Sequence, residues 1–169
     1  MIHVCPLSKI DETVSRSGAA RLLSLLAEGT AITRPASIAP EHHLILSLND
    51  IAEARDGLTL PGEAHVERLL AFALEWDRAR PLVVNCYAGI SRSTASAYII
   101  AAALSPKRDE AELAWTLRRL SPSATPNPRL IALADSMLGR GDRMVKAIAA
   151  IGRGADAHEG TPFVLGIDG

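Results

Sequence analysis

The chain has 169 residues, 48% of them apolar, and a formal net charge of -1. That size and composition suit one domain able to bury its own core. The interspersed acids and bases exclude a basic footprint for nucleic acid and a polybasic segment for a membrane surface, so any anion must be held by a few placed groups.

The start of the chain, Met1 to Ile10, has no basic region followed by a long apolar stretch, and the longest apolar run, Ala95 to Leu104, is too short to cross a bilayer. A cytoplasmic protein is expected. Cys5 and Cys86 stand far apart without companions at metal-ligand spacing. Reduced thiols are therefore expected, with neither a disulfide framework nor a zinc site.

In chain order, Ile2, Val4 and Leu7 predict a short first strand. From Gly18 to Ala27, the positions Ala20, Leu22, Leu23, Leu26 and Ala27 approach helical spacing and predict a helix stopped by Gly29. Leu44 to Leu48 reads as a buried strand that runs through Asn49-Asp50 into a loop, Ile51 to Thr59. Pro61 suits the first turn of a helix carrying Val66, Leu69, Leu70, Ala73 and Leu74, which Pro81 ends.

Leu82 to Val84 is a compact strand, and helices are predicted at about Arg92 to Leu104, Asp109 to Leu120, Pro128 to Leu138 and Gly141 to Ile151. This order predicts a three-layer α/β domain over residues 1–151, its central, mostly parallel sheet flanked by helices. A tail, 152–169, follows, in which Phe163, Val164, Leu165 and Ile167 either dock as an extended segment or stay mobile.

The chemistry concentrates in Val83-Val84-Asn85-Cys86-Tyr87-Ala88-Gly89-Ile90-Ser91-Arg92-Ser93-Thr94, where a buried strand stops at a cysteine and a helix begins at an arginine. Backbone amides of Tyr87 to Ser91 can curl around one anion, Gly89 permits angles forbidden to other residues, and the helix N-terminus adds its positive end. Arg92 supplies a planar fork matching two phosphoryl oxygens. Thiols beside an arginine at a helix N-terminus are held ionised, so Cys86 is expected to attack phosphorus as a thiolate, with Ser93 steadying the sulfur as it leaves.

Cys-x5-Arg followed by Ser, here Cys86 to Ser93, resembles the signature of the protein tyrosine and dual-specificity phosphatases. Ala88-Gly89-Ile90-Ser91-Arg92-Ser93 is especially similar to the dual-specificity-like branch and its bacterial relatives. The strand ending in Asn49-Asp50 is similar to the place where that family carries its general acid, and Ser121 to Asn127 resembles the segment whose asparagine braces the phosphate loop. The resemblance implies a phosphatase acting through a phosphocysteine on a phosphorylated protein or small phosphate monoester, without metal or organic cofactor; the charge pattern already speaks against nucleic-acid or membrane partners.

On that reading Asp50 is the general acid, with Asp56 its rival in the same loop, and Asn85 and Asn127 support the loop from behind. For Asn127 an ordinary helix cap is the other reading. One departure stands out: the family normally has histidine immediately before the cysteine, where this chain has Asn85, which hydrogen-bonds but cannot carry charge. A binding-only pseudophosphatase is the alternative that this residue favours. Sulfur transfer or arsenate reduction is a third, requiring a second working thiol, for which Cys5 is the only spare. His42 and His43 are adjacent and would face opposite ways on a strand, so they make no ligand pair; His65, Trp76 and Trp115 read as ordinary helix-face or core residues.

Overall fold

The computed structural model describes residues 1–167. Five strands, β1 (Ile2–Pro6), β2 (Arg21–Leu26), β3 (His43–Ser47), β4 (Leu82–Cys86) and β5 (Phe163–Leu165), lie in the order β3-β2-β4-β1-β5. The first four are parallel, and β5 runs antiparallel along β1. The helices are α1 (Ile10–Ser17), α2 (Glu63–Leu74), α3 (Arg92–Leu104), α4 (Glu110–Leu120), α5 (Pro128–Met137) and α6 (Arg143–Ile151). No helix among the described residues is long and apolar enough to cross a membrane.

The strand period of two sends alternate residues to opposite faces. Leu23, Leu25, Leu46, Val84 and Cys86 enter the larger core under α2 to α6, whereas Cys5, Leu22 and Val83 meet α1 and Ile38 in a smaller one. The architecture is the expected three-layer α/β domain. Helix α3 is its centrepiece, buried from Arg92 through Ala102, so the arginine opening it is held by the whole core.

One element differs in kind from its expectation. The segment read as a helix over Gly18 to Ala27 is strand β2, hydrogen-bonded to β3 on one side and β4 on the other. Leu22, Leu23, Leu25 and Leu26 are all buried because both faces of a central parallel strand are covered. Such a strand is an unbroken apolar run, which short-range periodicity does not separate from a buried helix. Gly29 accordingly belongs to the turn after β2, at φ 78°. Helix α1 has no counterpart among the predicted elements: short and largely polar, it buries only Ile10, Thr13 and Val14 before Gly18 caps it at φ 64°. The four helices of the second half lie within two residues of their expected bounds.

Glu110, at the start of α4, ties three helices together. Its carboxylate meets Arg140 and Arg143, each at 3.2 Å, and Arg140 also donates to the carbonyls of Ala102 and Pro106. Burial, the largest single influence, pushes the Glu110 carboxyl up; the Arg143 hydrogen bond and the two guanidinium charges outweigh it and hold the pKa below the usual glutamate value. A lowered folded-state pKa gives stability that is present above the unfolded pKa and lost as pH falls through the folded one. Glu110→Gln should therefore cost about 3 kcal/mol at neutral pH, by leaving Arg140 buried without its anion. The deficit should shrink as the pH is lowered below about 4, and a deficit in urea unfolding that is independent of pH would disprove the charge pairing.

Candidate active site

Ligands of parallel α/β sheets gather at the carboxyl ends of the strands, and here β1 and β4 end side by side while the segment after β3 reaches Arg92 through Leu48 O. β4 stops at Cys86 and α3 starts at Arg92, leaving residues 87–91 to turn between them. Three carbonyls of this turn are tied from outside, Tyr87 O accepting from Leu7 N at 3.1 Å, Ala88 O from Gly160 N at 2.8 Å and Ile90 O from Thr125 N at 3.0 Å, and a fourth, Ser91 O, accepts from Ala95 N in the first turn of α3 at 2.9 Å. A peptide whose C=O is bound outward directs the following N–H to the other side. Gly89 N accordingly donates to Cys86 Sγ at 3.3 Å. Gly89 is required twice over: its φ is 70°, and a Cβ there would lie 2.7 Å from Pro6 N and 2.9 Å from the Cys5 carbonyl carbon, both backbone.

Cys86 Sγ lies on the floor of this turn, buried, with Ser93 Oγ 3.1 Å away. Arg92 is 8% exposed, and its Nη1 donates to Leu48 O at 2.8 Å while its buried Nε has no acceptor among the described residues. The Nε atoms of Arg108 and Arg140 are likewise buried without an acceptor among the described residues, so it is the place of Arg92 at the head of α3, beside the turn, that sets it apart.

Asp50 stands at the rim. Its Oδ1 accepts from Ser91 Oγ at 2.7 Å and from Asn127 Nδ2 at 2.8 Å. Asn127 does two jobs at once: its Oδ1 caps α5 by accepting from Arg129 N and Leu130 N, while Nδ2 also reaches Ile51 O at 3.3 Å. The Asp50 loop is pinned at its root, where Asn49 N donates to Thr59 O and Thr59 N to Asn49 Oδ1. Asp56 sits beyond that pin in the exposed turn closed by Leu58 N on Arg55 O. His65 adds a second pin: its Nδ1 accepts from Gly62 N, so Nε2 carries the proton it donates to Ser47 O.

No protein-family model matches the sequence, and no curated protein matches it. Solved structures do. Human DUSP28 is 17% identical, with a TM-score of 0.62 over 89% of this chain and 94% of its own. PTPMT1, solved in complex with PI(5)P, is 15% identical at the same TM-score and the same coverage. The PTP-2 phosphatase of Cydia pomonella is 17% identical at 0.62, over 80% of this chain and 84% of that one.

The fold is that of the tyrosine and dual-specificity phosphatases. At such identity the likeness is one of architecture, and the site has to be argued from its own geometry. On this phosphatase fold Asn85 points away from Cys86, to the sheet face of Cys5 and Ser24, its neighbours in register. Ser24 Oγ donates to Asn85 Oδ1 at 2.6 Å and so accepts from His43 Nε2 at 3.0 Å, which assigns the Nε2–H tautomer to neutral His43. Burial and the nearby Arg34 charge hold the His43 pKa below its usual value. Asn85 Nδ2 is buried with no acceptor among the described residues.

The same alternation separates the thiols: Cys5 lies in the smaller core and Cys86 in the larger, on opposite faces of the sheet. Burial pushes the Cys5 thiol up to about 11. Cys5 is thus a packed strand residue rather than a partner for Cys86.

Several contributors carried no sequence signal. His43 reaches Ser24 only because of the β2–β3 register, and Thr125 and Gly160 reach the turn only through chain reversals. Arg153 comes to a cleft of about 260 Å³ beside the turn, lined also by Asp50, Ile90, Ser91 and Thr125. A larger groove, about 470 Å³, lies away from this site, between α1 and the approach to β5. Its cations Lys9 and Arg16 are both paired to Glu12.

Proposed function

We propose that this chain hydrolyses phosphate monoesters of the phosphotyrosine or dual-specificity type through a phosphocysteine on Cys86. The observation that carries the reading is the turn from Cys86 to Arg92, with carbonyls tied outward, an amide on the sulfur, and a buried Arg92 Nε without an acceptor among the described residues. The amides of Tyr87, Ala88, Gly89, Ile90 and Ser91 and the Arg92 fork hold the non-bridging oxygens. The Cys86 sulfur attacks phosphorus, the ester P–O bond breaks, and Asp50 passes its proton to the leaving oxygen. Water then attacks phosphorus, the P–S bond breaks, Asp50 takes the water's proton, and Ser93 donates to the departing sulfur. Inorganic phosphate and free Cys86 thiolate result.

Asn127 and Ser91 hold Asp50 at the rim through its Oδ1. The Tyr87 side chain, 64% exposed, and the uncharged Ala88 and Ile90 favour an aryl or alkyl group over a polyanion. A phosphorylated protein or a small monoester fits that rim.

Wild-type protein mixed with para-nitrophenyl phosphate and quenched in acid at early times should carry phosphate on the Cys86 peptide, with the same nitrophenol rate with and without chelator. Nitrophenol release without phosphocysteine overturns the mechanism. Tungstate binding with no release favours the binding-only reading, to which Asn85 in the place of histidine lends support.

The acid is tested alongside. Asp50→Asn should slow alkyl phosphates, whose leaving group needs a proton, by about 10²-fold, and slow substrates with good leaving groups far less. Asp56→Asn should change neither; leaving-group dependence appearing in Asp56→Asn instead would transfer the role to it.

A further inference from the structure

The segment after α6 runs back over the candidate site before entering the sheet as β5. Three of its backbone amides donate in order to the chain beneath. Gly154 N donates to Thr125 Oγ1 at 3.0 Å, Ala155 N to Pro122 O at 2.9 Å, and Gly160 N to Ala88 O at 2.8 Å. Beyond them, β5 pairs with β1, and Ser105 Oγ and Arg108 Nη1 donate to the carbonyls of Ile167 and Gly166.

The first two contacts steady the segment that delivers Thr125 N to Ile90 O. The third acts on the turn itself. Gly160 is buried, and a Cβ there would lie 2.7 Å from Gly89 O and 3.3 Å from Gly89 C. Those are backbone atoms of the phosphate-binding turn, and no rotamer change can move them aside. Gly154 is equally confined, with a Cβ position 2.5 Å from Ser123 C and O. A glycine at the first and last of these three contacts lets the strap lie directly on the backbone it supports.

We propose that residues 152–160 are a positioning strap for the catalytic turn, and that Gly160 is its contact residue. By holding the Ala88 carbonyl outward, Gly160 N keeps the Gly89 amide turned in toward Cys86 Sγ. This inference rests on the anion-binding role of the turn, not on turnover.

The test reads oxyanion affinity and catalysis separately. Gly160→Ala should raise the dissociation constant for tungstate, measured by calorimetry, about tenfold, and lower kcat/KM for para-nitrophenyl phosphate by about 10²-fold, the cost of a misplacement on the order of 1 Å. Phe163→Leu, which loosens β5 without touching the turn, should lower the melting temperature and leave both constants at wild-type values. Unchanged tungstate affinity in Gly160→Ala, or an equal loss in Phe163→Leu, would overturn the proposal.

A measurement on the unaltered protein covers the case in which Gly160→Ala fails to fold. Saturating tungstate should slow hydrogen exchange at the Gly160 amide in wild type, because a strap that favours the anion-binding turn must be favoured by the anion in return. No change in that exchange rate would sink the idea. A wild type that binds tungstate but releases no nitrophenol would defeat the proposed function and leave the strap standing. A wild type that binds no oxyanion would end both.

Discussion

Cys86→Ser should abolish turnover of aryl phosphates, by about 10⁴-fold or more, while tungstate affinity stays within a few-fold of wild type. The two effects part because the nucleophile and the cradle are built from different atoms. Cys86 contributes a sulfur in contact with Ser93 Oγ and Gly89 N, whereas the carbonyls of the turn are tied to Leu7, Gly160, Thr125 and Ala95 by hydrogen bonds that do not involve the sulfur. A serine hydroxyl at this buried position keeps both polar neighbours, so the stability change should stay under about 1 kcal/mol. Its oxygen, however, remains protonated at neutral pH and attacks phosphorus poorly. Steady-state kinetics, calorimetric titration with tungstate and thermal unfolding on one preparation would check all three statements. Turnover within tenfold of wild type would exclude Cys86 as the nucleophile.

Arg92→Lys should lower kcat/KM by about 10³-fold with a far smaller loss of thermal stability. The side chain is nearly buried and its Nη1 donates to Leu48 O, while its buried Nε has no acceptor among the described residues. A lysine ammonium can keep the first contact or approach the anion as a point charge; it cannot present two parallel donors while anchored to a carbonyl. Leu48 lies two residues before Asp50, so the anchor also links the arginine to the root of the proposed acid loop. Arg92→Ala should be the less stable of the two variants, because it strips Leu48 O of its buried donor. Weakened competitive inhibition by phosphate in Arg92→Lys is the accompanying expectation. A near-normal rate with normal phosphate inhibition would move the clamp to another residue.

How far the chain could be read depended on the kind of information each feature needs. The turn from Cys86 to Arg92 is local: five residues between a buried strand and a helix start, a glycine where only a positive φ fits, and the residues proposed to bind an anion all lie within one contiguous stretch. The second-half helices were legible for the same reason, since Asp109, Asn127 and their apolar stripes mark ends and faces within a single turn. The Asp50 assignment leaned on its position directly after a strand, and the structure puts it against Ser91 and Asn127.

By itself, then, the sequence determined an α/β domain with a strand-to-helix turn running from a cysteine to an arginine, because strand ends, helix starts and turn glycines are written in neighbouring residues. Only the tertiary structure decided that 21–26 is a strand, because a central parallel strand is apolar on both faces and its identity comes from the partners that bond it. Only the fold decided that Cys5 and Cys86 are kept apart, because a one-residue register difference across β1 and β4 sends them to opposite sides of the sheet. The docking of the tail, the reach of His43 to Ser24 and the seat of Gly160 on Ala88 are likewise products of register and close packing between segments far apart in the chain. Such contacts leave no periodic trace, since each is satisfied by one backbone group or one small residue that would read as ordinary anywhere else.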